Sequence, residues 1–472
     1  MDKKLETALF YVFFATMMAP LTLEVLPHVR IYLCDFPLFA LCLCFFMRLC
    51  MRNARLRFDG FDVLYGLFFA WLGLCSWQGH DFDNSSEWLL FWLRGYFIIF
   101  YMRHNLGAFI SSKTLFYAVG LCLLLEPALA VLQTVTQSSI GVVQQYFGVL
   151  KTRESGWLYE GSRVTRAQGT LMHTNFFGNW LVMLMPFLQA RITLATFKQR
   201  RNFGLWWGFC LLALVLTFSR ANWMAFLLGF LAVLLAERRY RSLWSKQRRW
   251  ISYLVVPLVL LIAAYAVLPE ETEFLIELAF ARAERTFDDK SSSIRTDLIA
   301  GAFTVLEDNY LFGVGPGNSK IMIQESNPFI PTWFRATVHN IYLIIATEAG
   351  IIGLAFFLMI MHWPLVRVLR LLRHGSAILP KDLLDNAVGM VGALVGLLFA
   401  MLWYVGMLSE SEFPLIATLI GAALGMSAAA ARQIAATRAK PLQTNTHLPA
   451  PFSATKNGAL AISNGSTVAL SE

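Results

Sequence analysis

Six arginines and one histidine carry the chemistry this sequence could perform. Arg163 and Arg166, Arg220, and Arg282, Arg285 and Arg295 fall in three separate stretches, and His339 stands where an apolar run begins. Guanidinium forks match phosphate oxygens and stay charged at every pH. An imidazole titrates near neutrality, so it can take a proton from a poor nucleophile such as a hydroxyl. Cations and one imidazole kept at a single membrane face suit an anionic, lipid-linked substrate. The plainer reading has each arginine bind a lipid headgroup or pair with a loop acid, and makes His339 a satisfied interfacial residue.

Neighbouring residues bear on that choice. Arg220 closes Thr217-Phe-Ser-Arg220 at the tip of a hairpin whose arms are almost wholly apolar. Tyr342 lies three residues beyond His339 and shares its helix face. Glu348 is nine residues on, about 13 Å deeper and half a turn round, so it reads as an intramembrane polar contact. Asp81-Phe-Asp83 has the spacing of a divalent-metal grip at a pyrophosphate. Acidic outer links are common, however, and no metal ligand is assigned. Asp35, Arg94 and Glu126 lie inside apolar runs, where charge is costly unless paired, and an Asp35–Arg94 pair would link two of them.

The elements around these residues are built for lipid. Of 472 residues 57% are hydrophobic and 15% charged, which excludes a soluble domain and implies an all-α polytopic membrane protein. The net charge of +9 invites a nucleic-acid partner, but the basic residues sit in short links where they set topology, so none is expected. The seven cysteines (Cys34, Cys42, Cys44, Cys50, Cys75, Cys122 and Cys210) show no metal-ligand spacing and read as small buried hydrophobes. Lys3 and Lys4 precede an apolar run without a cleavage motif, which reads as a first membrane helix.

Twelve spans are expected, near 7–26, 31–47, 61–78, 88–102, 114–134, 171–189, 203–219, 221–237, 251–268, 340–362, 384–405 and 412–431. The links holding Arg48 to Arg57, Arg191 to Arg201, Arg238 to Arg249 and Arg367 to Lys381 share a side with Lys3 and Lys4. The positive-inside rule makes that side cytoplasmic, with both termini on it. The domain expectation is a transmembrane unit over 1–431 and a disordered cytoplasmic tail over 432–472. Within the unit, 269–338 forms a long outer loop of two amphipathic helices. The first opens on Glu270 and ends on Arg282 and Arg285. The second is capped by Ser291-Ser-Ser293, with Arg295 in its first turn and an apolar stripe of Leu298, Ala302, Val305 and Leu306.

Four segments make the chain resemble the O-antigen ligase and polymerase superfamily of bacterial inner-membrane glycosyltransferases. They are Arg166-Ala-Gln-Gly-Thr-Leu-Met-His-Thr-Asn175, Thr217-Phe-Ser-Arg220, Ser291-Ser-Ser-Ile-Arg295 leading to Phe312-Gly-Val-Gly-Pro-Gly317, and His339-Asn-Ile-Tyr-Leu343 with Glu348-Ala-Gly350. One departure is His173-Thr174 before Asn175, where a proline is expected. The resemblance implies a twelve-span, GT-C-like, metal-independent enzyme without a cofactor, its site facing the periplasm. Such an enzyme takes a glycan from undecaprenyl pyrophosphate and attaches it to a sugar hydroxyl, and a single displacement there would be inverting. For the ligase branch the acceptor is the lipid A-core. It implies His339 as general base and Arg220 and Arg295 on the departing pyrophosphate, with Arg166 and then Arg163 behind them. Tyr342, Asn340 and Glu348 would support the site among membrane lipids.

The polymerase that extends the repeat and a protein-directed O-oligosaccharyltransferase share this logic and differ in acceptor. The ligase is preferred because the outer loop is single, long and helical, suited to an acceptor that is itself a lipid. From another class, a flippase for lipid-linked glycans would show repeat symmetry and mid-membrane charges on several helices. Here the polar candidates gather at one face.

Overall fold

The computed structural model describes residues 3–19, 21–26, 29–138, 140–141, 144–146, 149–151, 156–159, 162–171, 173–192, 197–241, 290–326, 338–375, 379–403, 408–409 and 412–439. Thirteen helices occur among them. They are α1 (Lys3–Met17), α2 (Asp35–Cys50), α3 (Gly60–Gln78), α4 (Phe82–Asn105), α5 (Ser112–Val135), α6 (Thr174–Ile192), α7 (Phe197–Val215), α8 (Arg220–Arg241), α9 (Lys290–Asp308), α10 (Ser319–Ser326), α11 (Ile341–Gly375), α12 (Lys381–Ala400) and α13 (Phe413–Ala439). Three short antiparallel hairpins interrupt them: β1–β2 (Thr22–Leu26, Val29–Tyr32), β3–β4 (Gln144–Tyr146, Val149–Lys151) and β5–β6 (Gly156–Tyr159, Ser162–Thr165).

The chain is a helical multi-pass membrane protein, but not one of about twelve spans. Among the described residues six helices, α3, α5, α8, α11, α12 and α13, are long and apolar enough to cross. The expected span 7–26 stops at Met17 and gives way to the β1–β2 hairpin. With 15 and 16 residues, α1 and α2 reach only about 23 Å, short of a hydrocarbon core of about 30 Å. Charge and amide groups dilute three others: Asp83, Glu87, Arg94 and Arg103 in α4, Asn175, Asn179, Gln189 and Arg191 in α6, and Lys198, Arg200 and Arg201 in α7. The expected span 251–268, and Arg282 and Arg285 with the first loop helix, lie outside the described residues.

Several charged residues inside the bundle form ion pairs. Arg94 Nε lies 3.4 Å from Asp35, the link expected from the sequence. Arg191 bridges Asp382 and Asp385 at 2.5 and 3.1 Å, and buried Arg48 meets Glu6 and Asn105. Glycines let α8 and α12 touch backbone to backbone. A Cβ on Gly229 would sit 2.8 Å from the Gly392 carbonyl oxygen, and one on Gly392 equally close to that of Gly229. Small residues are how membrane helices reach such contact. This seam fixes the end of α12 relative to the first turn of α8.

A second device shapes α11, which is broken at Gly350 (φ 68°, ψ −175°). Residues 309–318 enter the break. Val314 and Gly315 donate their amides to the carbonyls of Thr347 and Glu348 at 2.9 and 3.0 Å, Ile351 donates to Tyr310 at 3.0 Å, and Trp71 Nε1 to Ala349 at 2.8 Å. Non-helical backbone at membrane depth is tolerable when its groups are satisfied by protein in this way. On the far side the same loop is held by Asn318, which accepts from Asn84 at 2.8 Å and donates to Ser85 Oγ at 3.1 Å.

In the long loop, α9 buries Leu298, Ala302 and Val305 of the expected apolar stripe and leaves Leu306 half-buried. It begins at Lys290, so Ser291 to Ser293 lie within the helix rather than capping it, and Arg295 falls in the second turn. The short α10 was not foreseen. At the other end of the chain α13 runs to Ala439, making residues 432–439 of the expected tail helical.

Candidate active site

Four of the expected residues line one cavity of about 250 Å³: Arg166, Arg220, Arg295 and His339. They come from four separate segments, each set in position by its own local structure.

Arg166 follows β6 in an irregular stretch laid over α5. Gln133 of α5 accepts from the amide of Gly169 at 3.0 Å and donates to its carbonyl at 2.7 Å. Glu126 accepts from the Thr170 amide at 2.9 Å and hydroxyl at 2.6 Å. Gly169, at φ 61°, leaves room for that carboxylate, because a Cβ there would stand 2.0 Å from Glu126 Oε2. Glu126 is therefore satisfied as an anchor for the motif that begins at Arg166. Arg166 in turn donates from Nε and Nη2 to the Thr217 carbonyl.

That carbonyl belongs to the turn between α7 and α8, the tight hairpin anticipated at Ser219-Arg220. Phe218 is left-handed at φ 49°, a conformation rare for a bulky residue and held by its surroundings. Thr217 Oγ1 accepts from the Ser219 amide at 3.2 Å, and Trp223 Nε1 donates to the Leu214 carbonyl at 3.1 Å. Arg220 is thus the first residue of α8, whose first turn, Arg220 to Asn222, lines the cavity. A cation at a helix N-terminus opposes the helix dipole, whereas both favour an anion set before them.

His339 stands two residues before α11 and is held by three tethers. Asn340 caps the helix, its Oδ1 accepting from the Leu343 amide at 3.1 Å. The Ile341 amide donates to Met401 at 2.9 Å, and the Tyr342 hydroxyl to Leu398 at 2.7 Å. Both acceptors lie at the end of α12, so the glycine seam between α8 and α12 also sets His339 relative to Arg220.

The remaining expected residues stand off the cavity. Asn340 and Tyr342 position the start of α11. Glu348 is buried deeper, accepting from the Ser319 hydroxyl at 2.6 Å and from the Gly317 and Ser319 amides, so it ties α10 to the break in α11. Arg163 sits on β6 opposite Leu158, and its side chain is outside the described residues. Asp81 of the Asp81-Phe-Asp83 pair caps α4, accepting from the Asn84 amide at 3.1 Å. No cluster of three metal-ligating side chains occurs among the described residues.

Four further lining residues, His173, Asn175, Asn222 and Trp403, had been given no site role from the sequence. The first two lie in a quoted motif, and an asparagine two residues past Arg220 in an apolar helix was a usable signal. Trp403 offered none. His173 Nδ1 accepts from the Asn175 amide at 3.0 Å, which leaves the proton of the neutral ring on Nε2. Asn222 donates to the Asn175 carbonyl at 2.9 Å, joining α6 to α8 at the cavity wall.

No curated protein matches the chain. A solved structure described as "Structural coordination of polymerization and crosslinking by a peptidoglycan synthase complex" is 16% identical with a TM-score of 0.39, covering 79% of this chain and 98% of that one. The model of a family described as O-Antigen ligase matches residues 205–358, a stretch that includes Arg220, Arg295 and His339, and the chain is consistent over it with the O-antigen ligase and polymerase superfamily.

Proposed function

We propose that this protein is a membrane glycosyltransferase that moves a glycan from undecaprenyl pyrophosphate to a sugar hydroxyl of the lipid A-core, an O-antigen ligase. The observation that carries the reading is the meeting of Arg166, Arg220, Arg295 and His339 in one cavity at one end of the bundle. The match of residues 205–358 to a family described as O-Antigen ligase supports it.

The chemistry follows from the groups present. His339 accepts the proton of the acceptor hydroxyl as its oxygen attacks the anomeric carbon. The bond from that carbon to the pyrophosphate oxygen breaks, and the electron pair leaves with the pyrophosphate. Arg220, Arg295 and the first turn of α8 stabilise the developing charge, and being fixed they need no reorganisation to do so. A single displacement inverts the anomeric carbon. Guanidinium charge does the work a divalent ion would otherwise do, so transfer should persist in chelator.

The cavity faces the periplasm of the inner membrane in this reading, with both termini cytoplasmic. Arg52, Arg55, Arg57, Arg367 and Arg432 gather at the opposite end of the bundle, as the positive-inside rule asks of a cytoplasmic face. Arginines kept at the other face against that rule need a separate reason, and a pyrophosphate leaving group supplies one.

The test is transfer in liposomes with purified protein, lipid-linked glycan, lipid A-core acceptor and excess chelator, comparing wild type with His339→Ala and Arg295→Ala. Glycan on the lipid A-core, undiminished by chelator and lost in both variants, is the expected result. Lengthening of the donor glycan instead would assign the polymerase reaction. Transfer that survives loss of His339 would remove the base assignment, and net retention in the product would exclude the single displacement.

A further inference from the structure

A second basic cavity lies far from the candidate active site. A cavity of about 680 Å³ at the other end of the bundle is lined by Arg52, Arg55, Arg57, Arg103, Arg367 and Arg432, with Asp59 the one acid on its wall. His339 precedes α11 and Arg367 lies near its end, so the two cavities stand apart by about 40 Å of helix at ~1.5 Å per residue.

We propose that this cavity binds the phosphodiester headgroup of an anionic diacyl phospholipid. Three observations support it. First, the charge is not internally balanced. Asp59 is committed to Arg103 at 3.4 Å, to Arg367 at 3.3 Å and to the Phe61 amide as the cap of α3. Arg103 is further paired with Asp62 at 2.5 Å. Among the described residues no carboxylate pairs with Arg52, Arg55, Arg57 or Arg432, and all four line the same volume. Guanidinium groups held around a space fit phosphate oxygens, and such basic pockets between membrane helices suit lipid headgroups.

Second, topology alone does not explain the arrangement. Arginines that merely orient a chain lie in links, as Arg52, Arg55 and Arg57 do between α2 and α3. Arg103, Arg367 and Arg432 instead project from α4, α11 and α13 into the same cavity. Arg52 is also left-handed, at φ 57°.

Third, the cavity has apolar residues in its wall, and an exposed apolar stripe lies on one of the helices that line it. Phe45, Phe58 and Leu424 line it, and Phe58 is 66% exposed. Helix α2, which contributes Phe45, presents exposed Phe39, Leu43 and Phe46 as an apolar stripe ending one residue from it. Headgroup charge and acyl chain thus meet matching surfaces side by side, which a soluble phosphate would not use.

The test uses the full-length protein, purified in neutral detergent and stripped of lipid, by native mass spectrometry and thermal melting. The probes are phosphatidylglycerol, phosphatidylethanolamine and glycerol 3-phosphate. Phosphatidylglycerol should be retained and should raise the melting temperature, while the other two do neither. R52Q/R55Q/R432Q should bind it about a hundredfold more weakly, from about fivefold for each basic residue beside an anionic headgroup, and R52K/R55K/R432K should keep most of the affinity. If the triple glutamine variant does not fold, Arg55→Gln and Arg432→Gln singly decide, each expected to bind about fivefold more weakly. Equal retention of the two lipids, or undiminished binding by the glutamine variants, overturns the proposal. Glycerol 3-phosphate competing as well as the lipid would make this a soluble-anion site and overturn it too.

Discussion

Arg166 spends its guanidinium fork on the backbone of Thr217, donating from Nε at 2.8 Å and from Nη2 at 2.6 Å to the same carbonyl oxygen. Thr217 is three residues before Arg220, so Arg166 braces the turn that presents the next arginine. Its side chain lines the cavity, yet its contact with Thr217 gives it a positioning role distinct from direct charge on a leaving group.

Arg166→Lys separates the two roles, because lysine keeps the charge and loses the fork. A brace of charged hydrogen bonds is worth about 1.5–3 kcal/mol each, and about 1.4 kcal/mol is tenfold in rate. Loss of the brace should lower kcat about tenfold or more, leave the donor KM nearly unchanged and lower the melting temperature. Wild-type kcat in the lysine variant would show that only charge matters at this position.

Asn340 should matter through the helix it caps. Asn340→Ala should cost about 1 kcal/mol of stability, and Asn340→Asp or Asn340→Ser should restore most of it, because both side chains cap well. Thermal melting in detergent reads this directly. Activity should follow stability across the three variants. An Asn340→Ser protein that melts like wild type but has lost transfer would give the amide a chemical role instead.

Tyr342→Phe removes the hydroxyl that donates to Leu398 and leaves the ring against Phe357, 6.1 Å between centroids. The expected loss is about 1 kcal/mol, with kcat falling less than about tenfold. Activity abolished in a fully folded Tyr342→Phe protein would bring the phenol into the reaction.

Gly350 shows what backbone conformation adds. At φ 68° it lies so close to the loop that a Cβ would come 1.9 Å from the Leu311 carbonyl oxygen. Gly350→Ala should cost several kcal/mol through strain and displacement of that loop, and should cut the yield of folded protein. Gly73→Ala is the matched control: it sits in α3 with nothing within 4 Å of its Cβ position, and should be neutral or stabilising by up to about 1 kcal/mol. Equal yields of the two variants would refute this account of the break.

The contrast between these glycines marks where sequence reading stops. Hydropathy and charge alone put Arg163, Arg166, Arg220, Arg282, Arg285, Arg295 and His339 on one expected face without ranking them. The resemblance to the O-antigen ligase and polymerase superfamily set His339, Arg220 and Arg295 first, with Arg166 and Arg163 behind. Local chemistry could also have identified Asn340 as a cap, since asparagine before a helical run is a standard start signal. The pairing of Gly350 with Leu311 was not legible. Both motifs were visible, but a positive φ in mid-helix is imposed by a loop that returns from nearly forty residues earlier in the chain. The span count failed for a related reason: windows of apolar residues do not reveal that α1 stops at Met17 for a hairpin, or that buried amides in α6 face protein rather than lipid. Asp81 gave the opposite lesson, because a metal-like spacing served as a helix cap.

The seam between α8 and α12 makes the most demanding prediction. Gly229 and Gly392 meet backbone to backbone, with Gly396 one turn further along and its Cβ position 3.2 Å from the Ala225 carbonyl oxygen. Arg220 heads one helix, and the other ends beneath the tethers of His339, so widening the seam should change the distance between base and arginine. Gly392→Val inserts bulk into a closed contact, and over-packing of this kind costs about 1–3 kcal/mol. The folded fraction, isolated by gel filtration, should still show kcat reduced about a hundredfold, since misplacement of reacting groups by about 1 Å can have that effect. Gly392→Ala should fall between Gly392→Val and wild type. If folded Gly392→Val protein turns over at the wild-type rate, the seam is a stability device alone and the spacing of Arg220 and His339 is set elsewhere.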